Sequence, residues 1–166
     1  MITILLATMV LVPLLGEWWV SVRNERQLRA QGAVEPDGDV YALMQIMYPA
    51  SFLAIIFESA QRAPAQDALV AAGFAIFVAA KMLKYWAITT LGVRWTFRVL
   101  VPPASTVVTG GPYRVLRHPN YVAVIGELVG AALIAHAVVS GPIAVVAFGL
   151  LIVLRIRVEE RALGVP

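Results

Sequence analysis

The sequence predicts an all-α integral membrane protein with five transmembrane helices, and three observations predict it. Of its 166 residues, 60% are hydrophobic and only 14% are charged, with a mean hydropathy of +0.82. A soluble domain carries roughly a quarter charged residues, and a chain of 17.9 kDa with this composition cannot cover its surface with polar groups in water. The second observation is a succession of five apolar runs, and a helix needs about 20 such residues to cross a hydrocarbon core. The third is the arrangement of arginines between those runs. The composition excludes a disordered chain. The absence of cysteine excludes disulfides, thiolate metal sites and a cysteine nucleophile. The two histidines, His118 and His136, are far apart in the chain, so no metal site is expected.

The first span covers 1–22 and closes on Trp18 and Trp19, which suit the headgroup level. No basic segment precedes it and no small-residue cleavage site follows, so it reads as a retained span rather than a signal peptide. The stretch RNERQLRAQGA at 23–33 reads as a solvated helix end closed by Gly32. The second span is 41–59, with Pro49 as an expected kink, and the third is 67–91. The fourth is 121–139. After a turn at Ser140-Gly141 the fifth runs from Pro142 to 163, so the last two spans form a helical hairpin. Its apolar part, 142–154, gives only about 20 Å of helix, so Arg155, Arg157, Glu159 and Glu160 begin near the inner headgroup level. No repeat or linker divides the chain, and 1–166 reads as one membrane domain.

Arg23, Arg26 and Arg29 follow span one. Arg94, Arg98, Arg114 and Arg117 follow span three, and Arg155, Arg157 and Arg161 close the chain. With five spans all of these share one membrane face, and Arg62 stands alone on the other. The positive-inside rule then places the amino terminus outside and the carboxyl terminus in the cytoplasm. The net charge of +3 and the pI near 9.6 therefore report topology, and no nucleic-acid partner is expected.

The chemistry gathers on that face. The connection between spans three and four is too long for an idle turn, and such loops usually carry function. Gly110 and Gly111 permit positive φ and close backbone approach, Pro112 and Pro119 stiffen the chain beyond them, and Asn120 is placed to cap helix four. Arg117, His118 and Tyr121 offer a cation, an imidazole and an aromatic ring at the membrane edge. Arg155 and Glu159, four residues apart, share a helix face; taken alone, they read as a positive-inside anchor with a helix-end ion pair. Glu127 lies about 10 Å into helix four, and an intramembrane carboxylate is a functional-site hypothesis by default. The alternative is a structural partner for Lys81 or Lys84, which otherwise snorkel to the interface beside Tyr85 and Trp86. Glu17 and Glu58 read as interfacial, and Gly126 with Gly130 as a close contact within the hairpin.

GPYRVLRHPNY at 111–121, followed after the hairpin by RIRVEERAL at 155–163, resembles the isoprenylcysteine carboxyl methyltransferase family. The likeness covers 96–163. The first half of the chain, with RNERQLRAQGA and WTFRV at 95–99, looks similar to a bacterial branch that sits beside type III polyketide synthases and O-methylates alkylpyrones or alkylresorcinols. This resemblance implies S-adenosylmethionine as cofactor, held on the cytoplasmic side within 94–163. It implies binding by Ser105, Thr106, Val107, Val108, Tyr113, His118, Pro119, Asn120, Tyr121 and Glu159, with Arg155 facing the substrate. It further implies the inner membrane of a bacterium, a lipophilic small molecule entering from the bilayer, contact with membrane lipids, and an adjacent polyketide synthase as a partner.

The chemistry of the residues agrees with that assignment. Glu159 suits the cofactor's ammonium, and arginine with backbone N–H groups suits its carboxylate. Val107, Val108 and Tyr113 suit adenine, and Tyr121 suits the sulfonium. No G-x-G-x-x-G follows a strand, which excludes a soluble dinucleotide-type fold. The region lacks a strong general base apart from His118, so the expected acceptor is an acidic oxygen already ionised near neutral pH, with Glu127 in reserve as a base or orienting group. The competing readings are carboxyl methylation of a prenylated thiol, phospholipid N-methylation, a sterol-reductase-like NADPH enzyme, and a small transport or structural protein. Polar residues gathered at one face rather than along a midplane path speak against the last.

Overall fold

Five α-helices carry the chain back and forth across one layer. The computed structural model describes residues 2–62, 67–103 and 107–164. The helices are α1 (Ile2–Ala30), α2 (Tyr41–Ala60), α3 (Ala68–Leu91), α4 (Pro119–Ala135) and α5 (Ser140–Leu163), with short 3₁₀ turns at Gly92–Arg94 and Gly111–Arg114. Among the described residues there is no strand, and Val34 and Val101 form one isolated antiparallel bridge.

Side-chain contacts fix the direction of each helix. At one end Thr3 meets Ser59 (3.5 Å) and Glu58 takes the N–H and hydroxyl of Ser140 (2.8 and 2.6 Å). His136 and Asp67 lie 3.4 Å apart at the same end. At the other end Asn24 reaches Trp95, Asp39 pairs with Arg155, and His118 stands beside Glu159. Consecutive helices are therefore antiparallel, the termini lie at opposite ends, and every arginine but Arg62 falls at the end that carries the site. The five-helix, all-α membrane architecture predicted from sequence is the one observed.

Four of the helices are long and apolar enough to cross a membrane. Their outward faces carry large apolar side chains such as Ile4, Phe57, Ile143 and Leu150, each more than 60% exposed. That arrangement is stable in lipid, where such a surface needs no cover. The short helix is α4, with 17 residues, about 25 Å long. The fifth runs to Leu163 as expected and starts two residues early, at Ser140. The fourth is the one cut short, because His136 adopts the left-handed conformation (φ 50°) and ends α4 four residues before the expected limit. The turn is thus 136–139, and Ser140 already opens α5, with Glu58 of α2 satisfying its free N–H groups. Asp67 does the same for α3, accepting from Leu69 and Val70.

A short helix is tolerated at α4 because protein surrounds it. Ala123, Leu128 and Ala131 are fully buried. Gly126 and Gly130 do pack closely, but against α3 rather than within the hairpin. A Cβ on Gly130 would lie 2.8 Å from the backbone of Gly73 and Phe77, and one on Gly126 would lie 2.8 Å from the Ala80 Cβ. Small residues on both helices let the backbones touch, which is how helices associate where lipid removes the hydrophobic drive.

Other expectations give way to the structure. Gly32 closes the extension of α1 with φ +83° as predicted, yet the extension is not simply solvated, since Asn24 and Leu28 are almost fully buried. Glu17 is not interfacial, and Lys84 does not snorkel; both are buried within the bundle. Their opposite charges explain the departure, because each neutralises the other inside the helix layer.

Candidate active site

A cavity of about 770 Å³ opens at the arginine-rich end of the bundle. Its rim is built from the ends of α4 and α5 and the two connections that cross beneath them. Pro119 starts α4, since its missing N–H needs no partner in a first turn, and this leaves His118 and Tyr121 on either side of the helix start. Asn120 does not cap the helix. It lies inside the first turn, where its side-chain oxygen accepts from the Trp95 indole at 3.2 Å. Gly111, but not Gly110, takes positive φ (+54°), and a Cβ there would meet the Thr90 hydroxyl at 2.4 Å. This glycine lets the loop press against α3 and brings Tyr113 to the cavity.

The α5 helix supplies the acidic and cationic groups. Tyr121 donates from its hydroxyl to Glu159 Oε1 at 2.5 Å and accepts from Arg155 Nε at 3.2 Å. His118 lies 3.5 Å from Glu159 and 3.3 Å from Glu160, and its ring stacks on Tyr121. The Glu159 carboxylate beside it, helped by Glu160, raises the His118 pKa against the opposing effect of burial. Burial, with Glu159 nearby, likewise raises the Tyr113 hydroxyl, which stays neutral. Arg117 approaches Glu160 from outside at 3.7 Å.

Arg155 is buried and ties four segments together. It pairs with Asp39 in the α1–α2 connection, donates to the Phe97 carbonyl at 2.5 Å, and bonds Tyr121. Asp39 in turn accepts from the backbone N–H of Val99 (3.1 Å) and Tyr41 (3.0 Å). Ser21 of α1 accepts from Phe97 N–H at 2.8 Å, and Asn24 donates to the Gly92 and Trp95 carbonyls. Arg98 lies over the Tyr41 ring and pairs with Glu35 at 2.8 Å. Burial raises the Glu35 carboxyl, but Arg29 and Arg98 outweigh it and hold the group below the usual range. The segment 92–101 is thus stitched to the first half of the chain.

Of the residues singled out by sequence, Val107, Val108, Tyr113, His118, Asn120, Tyr121, Arg155 and Glu159 all line the cavity, as does Arg98. Ser105 and Thr106 lie outside the described residues. Pro119 is buried in the helix start and Glu127 is set behind the cavity wall, so neither lines it. Glu127 belongs instead to a buried square of charges. Lys81 Nζ lies 2.7 Å from Glu17 and 3.0 Å from Glu127, and Lys84 Nζ lies 2.6 Å and 3.2 Å from the same two carboxylates. Tyr48 donates to Glu127 at 2.6 Å. The structural alternative for Glu127 describes these contacts. Sequence reasoning missed Asp39 and Tyr48. The only trace of Asp39 was an aspartate between Gly38 and the start of span two, while its partner lies 116 residues away.

The cavity combines a charged rim with an apolar interior. Glu159 retains capacity for a cation, since Oε1 takes one hydrogen bond and the side chain is 26% exposed. Val107, Val108 and the Tyr113 ring contribute apolar surface to the same cavity. This donor and acceptor set fits an amino-acid-bearing nucleoside such as S-adenosylmethionine. Leu15, Trp18 and Ile46 line the cavity yet are each more than half exposed on the outer surface, so the interior opens sideways between α1 and α2.

Fold and site together define an integral membrane protein with a large cavity and a polar rim at one end of its helix bundle. The chain belongs to the isoprenylcysteine carboxyl methyltransferase (ICMT) family, which it matches over residues 72–165. Members of that family are membrane methyltransferases that use S-adenosylmethionine. The chain is 30% identical over 159 residues to the uncharacterized protein YpbQ of Bacillus subtilis (strain 168), covering 96% of this chain and 95% of that protein. It is 27% identical over 146 residues to an uncharacterized protein of Haemophilus influenzae, covering 87% and 85%. No solved structure matches significantly.

Proposed function

We propose that the protein uses S-adenosylmethionine to O-methylate an acidic hydroxyl on a lipophilic small molecule of the alkylpyrone or alkylresorcinol kind. One observation carries this reading: Glu159, Tyr121 and Arg155 stand where a polar rim meets an apolar cavity open to lipid. The cofactor supplies a methyl group on a positively charged sulfur, ready for in-line displacement. Glu159 holds the cofactor's ammonium, with His118 fixing the carboxylate from behind. Val107, Val108 and Tyr113 flank the base.

Arg155 has five N–H donors. Asp39, Phe97 and Tyr121 take one each, and Arg155 still lines the cavity, so an acceptor oxygen can be held by what remains. An acceptor ionised at neutral pH needs alignment more than a base, and alignment alone is a large catalytic effect. The acceptor enters sideways from the bilayer between α1 and α2. The arginine-rich end faces the cytoplasm of a bacterial cell, and a neighbouring polyketide synthase supplies the acceptor.

The test is calorimetry on detergent-purified protein. S-adenosylhomocysteine should bind, and Glu159→Ala should weaken it at least tenfold. A 4-hydroxy-6-alkyl-2-pyrone should then accept methyl groups from S-adenosylmethionine. Binding of NADPH with no response to S-adenosylhomocysteine would overturn the reading.

A further inference from the structure

The cavity does not end in hydrocarbon. Two of its deep wall residues are polar and almost completely buried: Lys84 is 1% exposed and Tyr48 is 9% exposed. They are the two members of the buried charge cluster that reach the cavity, while Glu17, Lys81 and Glu127 stand behind them. Burying four charges inside a helix layer is unfavourable, and an apolar core of the same volume is often at least as stable. Around them the wall is apolar, with Leu14, Met44, Val124 and Phe148, and the exposed Gln45 lines the cavity one helical turn before Tyr48. The cluster therefore places a hydrogen-bonding surface where a plain hydrocarbon tail would find none of use.

Two helices give the depth of this surface. On α4, Glu127 lies six residues beyond Tyr121, about 9 Å, and Tyr48 bonds Glu127. On α5, Phe148 lies seven residues before Arg155, about 10 Å, and its ring contacts Tyr48. Both routes put the polar wall about 10 Å below the rim. The charges on the cluster sum to zero: Glu17 and Glu127 against Lys81 and Lys84. The Tyr48 oxygen already donates to Glu127 and accepts only a long contact from Lys84 at 3.4 Å.

We infer that the Tyr48 oxygen in the deep wall recognises a neutral hydroxyl, which donates to it, carried on the tail of the acceptor about 10 Å from the oxygen that is methylated. This rests on the reading of the cavity as the acceptor site. A neutral oxygen is favoured because the cluster is already balanced, so an added charge would be buried without a counter-ion. The lone pair of the Tyr48 oxygen that Lys84 meets only at 3.4 Å is satisfied by a hydroxyl proton and not by plain hydrocarbon, which is how a buried polar group discriminates between otherwise similar ligands. Tyr48 is then a specificity residue rather than a catalytic one.

The experiment is equilibrium binding of radiolabelled 4-hydroxy-6-alkyl-2-pyrones to the full chain in lipid nanodiscs, with empty nanodiscs as reference. Four tails of equal length are compared: plain alkyl, a hydroxyl about 10 Å from the ring hydroxyl, a hydroxyl displaced by about half that distance, and a carboxylate at the first tail hydroxyl's position. The first tail hydroxyl should bind at least fivefold more tightly than the other three, and Tyr48→Phe should remove the preference. Equal binding of the probes, no binding of any, tightest binding of the carboxylate, or a preference that survives in Tyr48→Phe would each overturn the inference. Should Tyr48→Phe fail to fold, the series on the unmodified protein decides. Because no turnover is measured, failure of S-adenosylhomocysteine to bind would sink the methyltransferase reading separately from this one.

Discussion

Replacing Asp39 with asparagine should damage the protein far more than a change of one atom implies. Asp39 and Arg155 are 4% and 3% exposed, so their pair is screened by protein rather than water. Asp39→Asn leaves Arg155 buried with Glu159, at 3.7 Å, as the remaining carboxylate beside it. The new amide can still accept from Arg155 or Tyr41 through its oxygen, but its NH₂ would face the Val99 N–H that Oδ2 now satisfies. Breaking a buried pair costs about 3–5 kcal/mol, and an unsatisfied backbone donor adds about 1–3 kcal/mol. The two effects overlap, so a loss near 4 kcal/mol is expected, read by SDS unfolding in mixed micelles. The sharper assay is a double-mutant cycle with Arg155→Met. Once the cation is gone, Asp39→Asn should become much milder, giving a coupling of about 2 kcal/mol or more. Additivity within about 0.5 kcal/mol would refute the claim that this pair holds the connection against α5.

The remaining predictions concern pH, the charge cluster and topology. The folded-state pKa of His118 lies above its unfolded value near 6.5, so its contribution to stability is full below that value and is lost as pH rises through the folded pKa. The thermal midpoint of the wild type should therefore exceed that of His118→Gln at pH 6 and converge with it in alkaline buffer; a gap that widens with pH would contradict the assigned contacts. Glu127→Gln leaves two buried lysines with one carboxylate and should lower stability by about 3–5 kcal/mol, while folded protein retains S-adenosylhomocysteine binding. Loss of methyl transfer in folded, cofactor-competent Glu127→Gln would instead make Glu127 part of the chemistry. Single cysteines at Gln61 and Thr109 should label from opposite sides of intact cells, and labelling from one side would refute five crossings.

Much of this was legible in the sequence because lipid imposes simple rules. Apolar runs of fixed length set the number of helices, and arginines set which ends gather. The rim was legible too, since His118 and Tyr121 are close neighbours in the chain and Arg155 and Glu159 lie one helical turn apart. Helix ends were harder. The end of α4 depends on one non-glycine residue, His136, entering the left-handed region, and no pattern in the surrounding alanines announces it. The long-range pairs were not legible at all. Glu17 looked interfacial because its two lysine partners sit more than 60 residues later, and only the ion pairs that Lys81 and Lys84 extend to it from α3 make its burial tolerable.

The same physics explains why the acceptor is harder to read than the cofactor. The family match begins at residue 72 and takes in the rim, whose charged groups need particular partners at particular distances. The lateral mouth of the cavity is built mainly from α1 and α2, through Leu15, Trp18 and Ile46, which lie before that match. An apolar side chain facing lipid on one side and a hydrocarbon tail on the other is constrained by volume alone, so many residues serve equally. A polar side chain in that wall is different, because it is unfavourable there unless something bonds it. Tyr48 is therefore a buried position in the wall whose identity carries information about what the cavity accepts, and tail chemistry opposite it is the property to vary first.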